Sequence, residues 1–460
     1  MRGACCGVLV ALLASCGDDD CCAVDDDAAV TGDAMSDGRV EVARVPVVAN
    51  LDVDMLFVID DSPSTLDKQT NLKNAFPAFI NELNGLPGGL PNIHIGVVTP
   101  DLGTKGAQDT SPGPSVGSGP GGCVGNGKAG NLQNTSSTVQ GNFISDIRDS
   151  ATSRTQNFTG SLESAFAALA SVGANGCGFE QPIEAAKRAL DNNPANAGFL
   201  RPNASLAIIM MTDEDDCSIS HSTMFGPDSA TLGPLQSFRC TRFGVTCGVG
   251  GTTPDEMNQI GTKGQCRSNE ASSYLMPVAP YATFFRGLKA NPNDVMFAAL
   301  IGDPTPFSVE LRIPPGSSTG IPAVAHSCQY SGPNGSEVAD PAVRIVELAN
   351  QFERRAFASV CNADLSTPLV DLARQVRGLV GDTCLTRPIA QPADCIVRDV
   401  AGTSTVELPA CNGGASSTNK PCYELVTDTA ACTAGSHLRL VVQRASTPAP
   451  DTVVVASCRP

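Results

Sequence analysis

Val58-Ile59-Asp60-Asp61-Ser62-Pro63-Ser64 is the point where an apolar run stops and a polar turn begins. The run itself, Met55-Leu56-Phe57-Val58-Ile59, is continuous and flanked by acids, the pattern of a strand buried on both faces of a parallel sheet. After the turn, Leu72, Phe76, Phe79, Ile80 and Leu83 recur at helical spacing, and Pro77 within that stretch predicts a kink or a break. A second apolar run, Leu206-Ala207-Ile208-Ile209-Met210-Met211, ends in the same manner on Thr212-Asp213, with Glu214, Asp215 and Asp216 following.

The same alternation extends along the chain. Residues 93–98 and 296–301 read as strands, as does 357–360; helices are expected around Leu162, Ala165, Phe166 and Leu169, over 182–190, around Ile345, Leu348 and Phe352, and over 368–379. Strands alternating with helices imply an α/β fold with an open, mostly parallel, doubly wound sheet. Two stretches interrupt it: 102–142, rich in Gly, Ser, Thr and Asn, and 221–276, which holds Cys240, Cys247 and Cys266. Both read as long loops or insertions at a functional edge. Beyond residue 387 the texture changes to short β-prone runs among Cys395, Cys411, Cys422, Cys432 and Cys458, the mark of a small C-terminal disulfide-rich β module over 387–460.

An Asp-x-Ser-x-Ser turn at a strand end presents a carboxylate and two hydroxyls to one point, and ligands of open α/β sheets collect at that edge. Such oxygens suit a hard cation, which takes compact oxygen coordination and keeps open positions. By itself the turn also serves as a helix N-cap, so the second strand-end aspartate is needed to make it a site. The pair of motifs resembles the metal-ion-dependent adhesion site of von Willebrand factor A domains, over roughly residues 50 to 384. The resemblance assigns Asp60, Ser62, Ser64 and Asp213 to one divalent metal, Mg²⁺ or else Ca²⁺ or Mn²⁺. That family adds a threonine from a middle loop. Here the loop reads Gly176-Cys177-Gly178-Phe179-Glu180-Gln181-Pro182, so Glu180 or Gln181, or Thr159 ahead of the preceding helix, has to supply the oxygen. A carboxylate at that place strengthens metal binding and weakens the metal's pull on an acidic ligand. Glu214, Asp215 and Asp216 read as a solvated or calcium-prone loop. Cys177 and Cys217 each stand beside a proposed metal loop, and a disulfide between them is one of several open connectivities.

The chain has 460 residues, 42% of them hydrophobic, and a formal net charge of −17. That balance repels polyanions, so nucleic acid and acidic lipid surfaces are excluded as partners. Nineteen cysteines with only four histidines point to an oxidising compartment. The start agrees: Met1-Arg2, an apolar stretch at 8–13 and Leu13-Ala14-Ser15-Cys16 resemble a lipoprotein signal, 1–15, with lipidation of Cys16; the other reading is a buried N-terminal segment. Removing Cys5 and Cys6 with the signal and giving Cys16 to lipid leaves sixteen cysteines, an even number. Residues 16–45 then form a disordered acidic tether and 46–386 the main domain. Gly17 after the lipidated cysteine, in place of an aspartate, points to the outer membrane.

These readings predict a binding protein of the cell envelope with no catalytic turnover, gripping a carboxylate of a protein or glycan partner. Two alternatives stay open. One is a metal-dependent hydrolase with Asp60 as an aspartyl nucleophile, against which Ser62 stands where such enzymes carry a second acid. The other is a structural envelope protein with a degenerate metal site. Gly113-Pro114-Ser115-Val116-Gly117 matches a serine-hydrolase pattern but lies in a Gly-rich loop instead of between a strand and a helix.

Overall fold

The computed structural model describes residues 38–460 apart from 48–49, 87–88, 151–152, 315, 334, 386, 414–416, 430–431, 433–435, 447 and 450–451. The proposed signal, Cys16 and most of the acidic tether lie outside the described residues.

Its centre is a seven-stranded sheet in the order Arg354–Ser359, Val295–Ile301, Ser205–Met211, Asp52–Ile59, Asn92–Val98, Ile144–Arg148, Arg154–Gln156. The first five strands are parallel and the last two form an antiparallel edge. Side chains alternate between faces along each strand, so one apolar run supplies two cores. Met55, Phe57 and Ile59 pack with Leu72, Phe76 and Phe79 of the helix Leu66–Asn84 and with the helix Ser366–Val380. Leu56 and Val58 face the opposite core, with the helices Pro182–Leu190, Val278–Arg286 and Val343–Ala349. The α/β, mostly parallel architecture read from the sequence is therefore the one observed.

Several expectations need correcting. The helix Leu66–Asn84 runs unbroken through Pro77. Pro77 is exposed, so the carbonyl one turn earlier that its ring leaves without an N–H sits on the solvent side, where water substitutes. The tether ends earlier than residue 45: Val40–Pro46 is a strand paired with Val453–Cys458. The N-terminal strand thus completes the C-terminal module, a four-stranded sheet with Ile396–Ala401 and Ser404–Leu408 beside the hairpin Cys422–Thr427 and Leu438–Gln443. Three disulfides, Cys384–Cys432, Cys395–Cys458 and Cys411–Cys422, pin it.

The stretch 221–276 is structured. Its strands Val245–Val249 and Gly261–Ser268 join Phe307–Arg312 and Ile321–Val324 in an antiparallel sheet. Cys240 pairs with Cys217 and Cys247 with Cys266. Among the described residues no helix is long and apolar enough to cross a membrane.

Candidate metal centre

The tips of the two central strands meet. Ile59 and Met211 are register partners in a parallel pair, and the Asp60 N–H donates to the Met211 carbonyl at 3.0 Å. Asp60 and Asp213 therefore leave the same edge of the sheet side by side, at the place where the chain leaves its central strand toward one side and returns on the other.

Both are buried. Asp60 Oδ1 accepts the Ser62 N–H at 2.7 Å and Oδ2 accepts the Thr212 hydroxyl at 2.7 Å. Ser62 and Ser64 hydroxyls are 3.1 Å apart. They are not spent on capping: the N-cap of the following helix is Thr65, whose hydroxyl instead donates to the carbonyls of Asp60 and Ser62. Gln69 Nε2 donates to the Asp60 carbonyl at 2.8 Å and to Gly173 at 2.7 Å, which clamps the turn from below. Ser62 is buried and Ser64 exposed, so the turn opens to solvent on the Ser64 side.

Glu180 joins this cluster. It is 1% exposed, and burial, then the nearby carboxylates of Glu214 and Asp60, hold its carboxyl well above the usual range. Asp60 is pushed up to about 7 by burial and by Asp213, against the hydrogen bonds from Thr212 and Ser62. Glu214 is pushed up to about 8 by burial, Asp340 and Asp213. Asp213 is also raised by burial, with the Lys68 ammonium and the Ser64 hydroxyl working against the rise. Lys68 Nζ lies 3.1 Å from Asp213 Oδ2 and 3.0 Å from Glu337 Oε2.

Four crowded acids with one ammonium in contact form a charge cluster short of cations. Two of their oxygens, Asp213 Oδ1 and Glu180 Oε1, are buried with no hydrogen-bond partner among the described residues. The donor set fits a hard divalent ion, since every atom offered is oxygen. Among the described residues no three His, Cys, Asp or Glu side chains are grouped so that they could hold a metal ion by themselves.

The structure divides the acidic run that follows Asp213. Glu214 faces the cluster, which its place in a polar run did not signal. Asp215 caps the helix Val343–Ala349 through the N–H groups of Arg344 and Ile345, and Asp216 accepts the Ile183 N–H at the start of the helix Pro182–Leu190. Gln181 points elsewhere, its Oε1 accepting the Ile219 N–H, and Thr159 is exposed with its N–H bonded to Thr138. Of the middle-loop residues weighed from the sequence, Glu180 is the one brought to Asp60 and Glu214. Thr212 and Lys68 were missed. Thr212 precedes the strand-end aspartate directly; Lys68 follows Ser64 by four residues, one helical turn, and carried no signal of its own.

The disulfide between Cys177 and Cys217 does not form. Cys177 pairs with Cys123, because the loop 102–142 folds back so that Gly121 bridges the middle loop, and Cys217 pairs with Cys240. The two candidate site loops are instead joined by a backbone bond, Cys217 N–H to the Glu180 carbonyl at 2.8 Å. The folded-back loop also delivers Lys128, whose ammonium lies 2.6 Å from Asp61 Oδ2 and pairs with that acid.

No family model and no curated protein matches this chain. Among solved structures it aligns with the pilus adhesin SpaC from Lactobacillus rhamnosus GG, at 10% identity and a TM-score of 0.31, over 91% of this chain and 40% of that one. It also aligns with a von Willebrand factor type A protein from Catenulispora acidiphila, at 11% identity and a TM-score of 0.28, over 91% and 61%. The human COPII-coat protein Sec24c aligns at 10% identity and a TM-score of 0.28, over 92% and 42%. This chain spans less than two thirds of the length of each, and likenesses at this level transfer no function.

Proposed function

We propose that this protein is an exported, lipid-anchored binding protein of the cell envelope. It holds a divalent cation on Asp60, Ser62, Ser64, Asp213 and Glu180 and through it takes a carboxylate of a protein or glycan partner. One observation carries the reading: Asp60 and Asp213 from adjacent strand tips are buried together with Glu180 of the middle loop, and Asp213 Oδ1 and Glu180 Oε1 have no hydrogen-bond partner among the described residues. A bound cation would supply positive charge to these oxygens and an open coordination position toward solvent. The chain's own residues do the rest. Thr212 and the Ser62 N–H orient Asp60, and Gln69 and Thr65 fix the turn.

Beside Ser64, Asp213 and Glu214 opens a cavity of about 390 Å³ whose wall includes Phe238 and Val324. It gives an incoming group room beside the exposed Ser64, with apolar surface for whatever carries the carboxylate. The Lys68–Asp213 pair favours a second reading, a structural envelope protein in which the ammonium stands in for the metal permanently. Export is supported by the lipobox-like start and by seven disulfides among the described residues.

Calorimetric titration of the full chain in detergent with Mg²⁺, Mn²⁺ and Ca²⁺ tests the proposal. Binding is expected in the wild type and lost in Asp60→Ala and Asp213→Ala; identical heats in all three proteins would overturn it. Capture of envelope components should then depend on the same cation and fail in chelator.

A further inference from the structure

Lys68 is 1% exposed and all three of its ammonium protons have acceptors: Asp213 Oδ2 at 3.1 Å, Glu337 Oε2 at 3.0 Å and the Ser64 carbonyl at 3.1 Å. It stands on the first turn of the helix that begins just after the Asp-x-Ser-x-Ser turn, so helical geometry aims it back over Ser64. Its second acid, Glu337, comes from the hairpin Cys328–Gly332 and Gly335–Ala339. That hairpin is fastened twice beside the helix, by the disulfide Cys328–Cys361 and by the Tyr330 hydroxyl donating to Asp67 Oδ2 at 2.9 Å. Lys68 is thus shared between a carboxylate of the proposed metal centre and one that belongs to no part of it.

We infer that Lys68 is a resident counter-cation that competes with the divalent ion for Asp213 and lowers the affinity of the centre, with Glu337 as the anchor to which it withdraws. This rests on the metal reading above. Asp213 offers one oxygen without a partner among the described residues and one claimed by the ammonium. A divalent ion at the free oxygen brings like charges within a few ångströms in a buried setting, where repulsion is poorly screened. Because Glu337 keeps one proton of the ammonium bonded, Lys68 can release Asp213 without becoming an unpaired buried charge. The arrangement makes the centre weak by construction and reversible with changing cation supply.

Mn²⁺ titration calorimetry on the full chain, comparing wild type with Lys68→Met and Lys68→Gln, tests the inference, with circular dichroism confirming the fold of each. Glutamine is shorter but keeps a hydrogen-bonding head while it removes the charge, which guards against a misfolded methionine variant. The expected result is Mn²⁺ binding tightened roughly ten-fold or more in a folded variant. Binding in the variant alone, with the wild type silent, is the same result at its limit. A Lys68→Gln/Asp213→Ala double variant should lose the gain. Equal, measurable affinity in wild type and folded variants overturns the inference and leaves the metal reading standing. Absence of binding in all folded proteins overturns both.

Discussion

The Thr212 hydroxyl donates to Asp60 Oδ2 at 2.7 Å, which ties the tip of one central strand to the acid on the next. With Oδ1 held by the Ser62 N–H, the Asp60 carboxylate has no rotational freedom, yet each oxygen retains a lone pair for a cation. Supporting hydrogen bonds of this kind set the orientation of a ligand and so its affinity. Thr212→Val keeps the shape and removes the donor. Divalent-cation affinity should fall about ten-fold. Stability should fall by about 1–2 kcal/mol. Calorimetry and denaturant unfolding read the two effects separately, and undiminished cation affinity would remove Thr212 from the site.

Glu180 is crowded by Glu214 and Asp60, and one of its oxygens has no partner among the described residues. Glu180→Gln therefore has opposite effects with and without cation. In chelator the melting temperature should rise, because glutamine, unlike Glu180, need not take up a proton to be buried beside Glu214 and Asp60. With Mn²⁺ the cation-induced gain in melting temperature should shrink, because an oxygen ligand of the ion has lost its charge. A larger cation-induced gain in the variant would place the ion away from Glu180.

The acids with raised carboxyls make stability depend on pH in an unusual direction. Asp60 at about 7, Glu214 at about 8 and Asp215 at about 6 all stand above their ordinary values of 3.8, 4.5 and 3.8. Between those limits the folded chain keeps protons that the unfolded chain has released, so these groups lower stability as pH rises from about 4 to 8. In chelator the melting temperature should be higher at pH 5 than at pH 8. Saturating Mn²⁺ supports the ionised carboxylates and should reduce that difference or reverse it. A chelated protein more stable at pH 8 would contradict the raised carboxyls.

Arg344 is fully buried and uses its guanidinium on Asp216 and on the Gly244 carbonyl, the Ser268 hydroxyl and the Met276 carbonyl. It binds the stretch 221–276 to the start of the helix Val343–Ala349. Arg344→Met preserves the aliphatic stem and leaves Asp216 buried without its cation. The expected cost is about 3–5 kcal/mol. Faster hydrogen exchange over 245–268 should accompany it, and an unchanged exchange pattern would show that the stretch holds itself together.

Much of this protein was legible in its sequence because period and position suffice for it. Continuous apolar runs such as 55–59 and 206–211, short and flanked by polar residues, fit a strand covered on both faces. Their abrupt ends in Asp60 and Thr212-Asp213 mark the carboxyl edge of the sheet. Glu180 was also readable, as an acid at the start of a helix in the middle loop.

What the sequence left open depends on which segments fold back on one another. Val40–Pro46 is a strand only because Val453–Cys458 lies beside it, and Cys177 meets Cys123 only because the loop 102–142 returns to the middle loop. Lys68 is an ordinary helical lysine until Glu337, some 270 positions later, arrives on its disulfide-anchored hairpin and Asp213 arrives on the neighbouring strand. Local pattern sets the period and the ends of each element through the backbone's own geometry. The charges that meet at the tip of the sheet are set by long-range closure of the chain, and closure leaves no periodic trace.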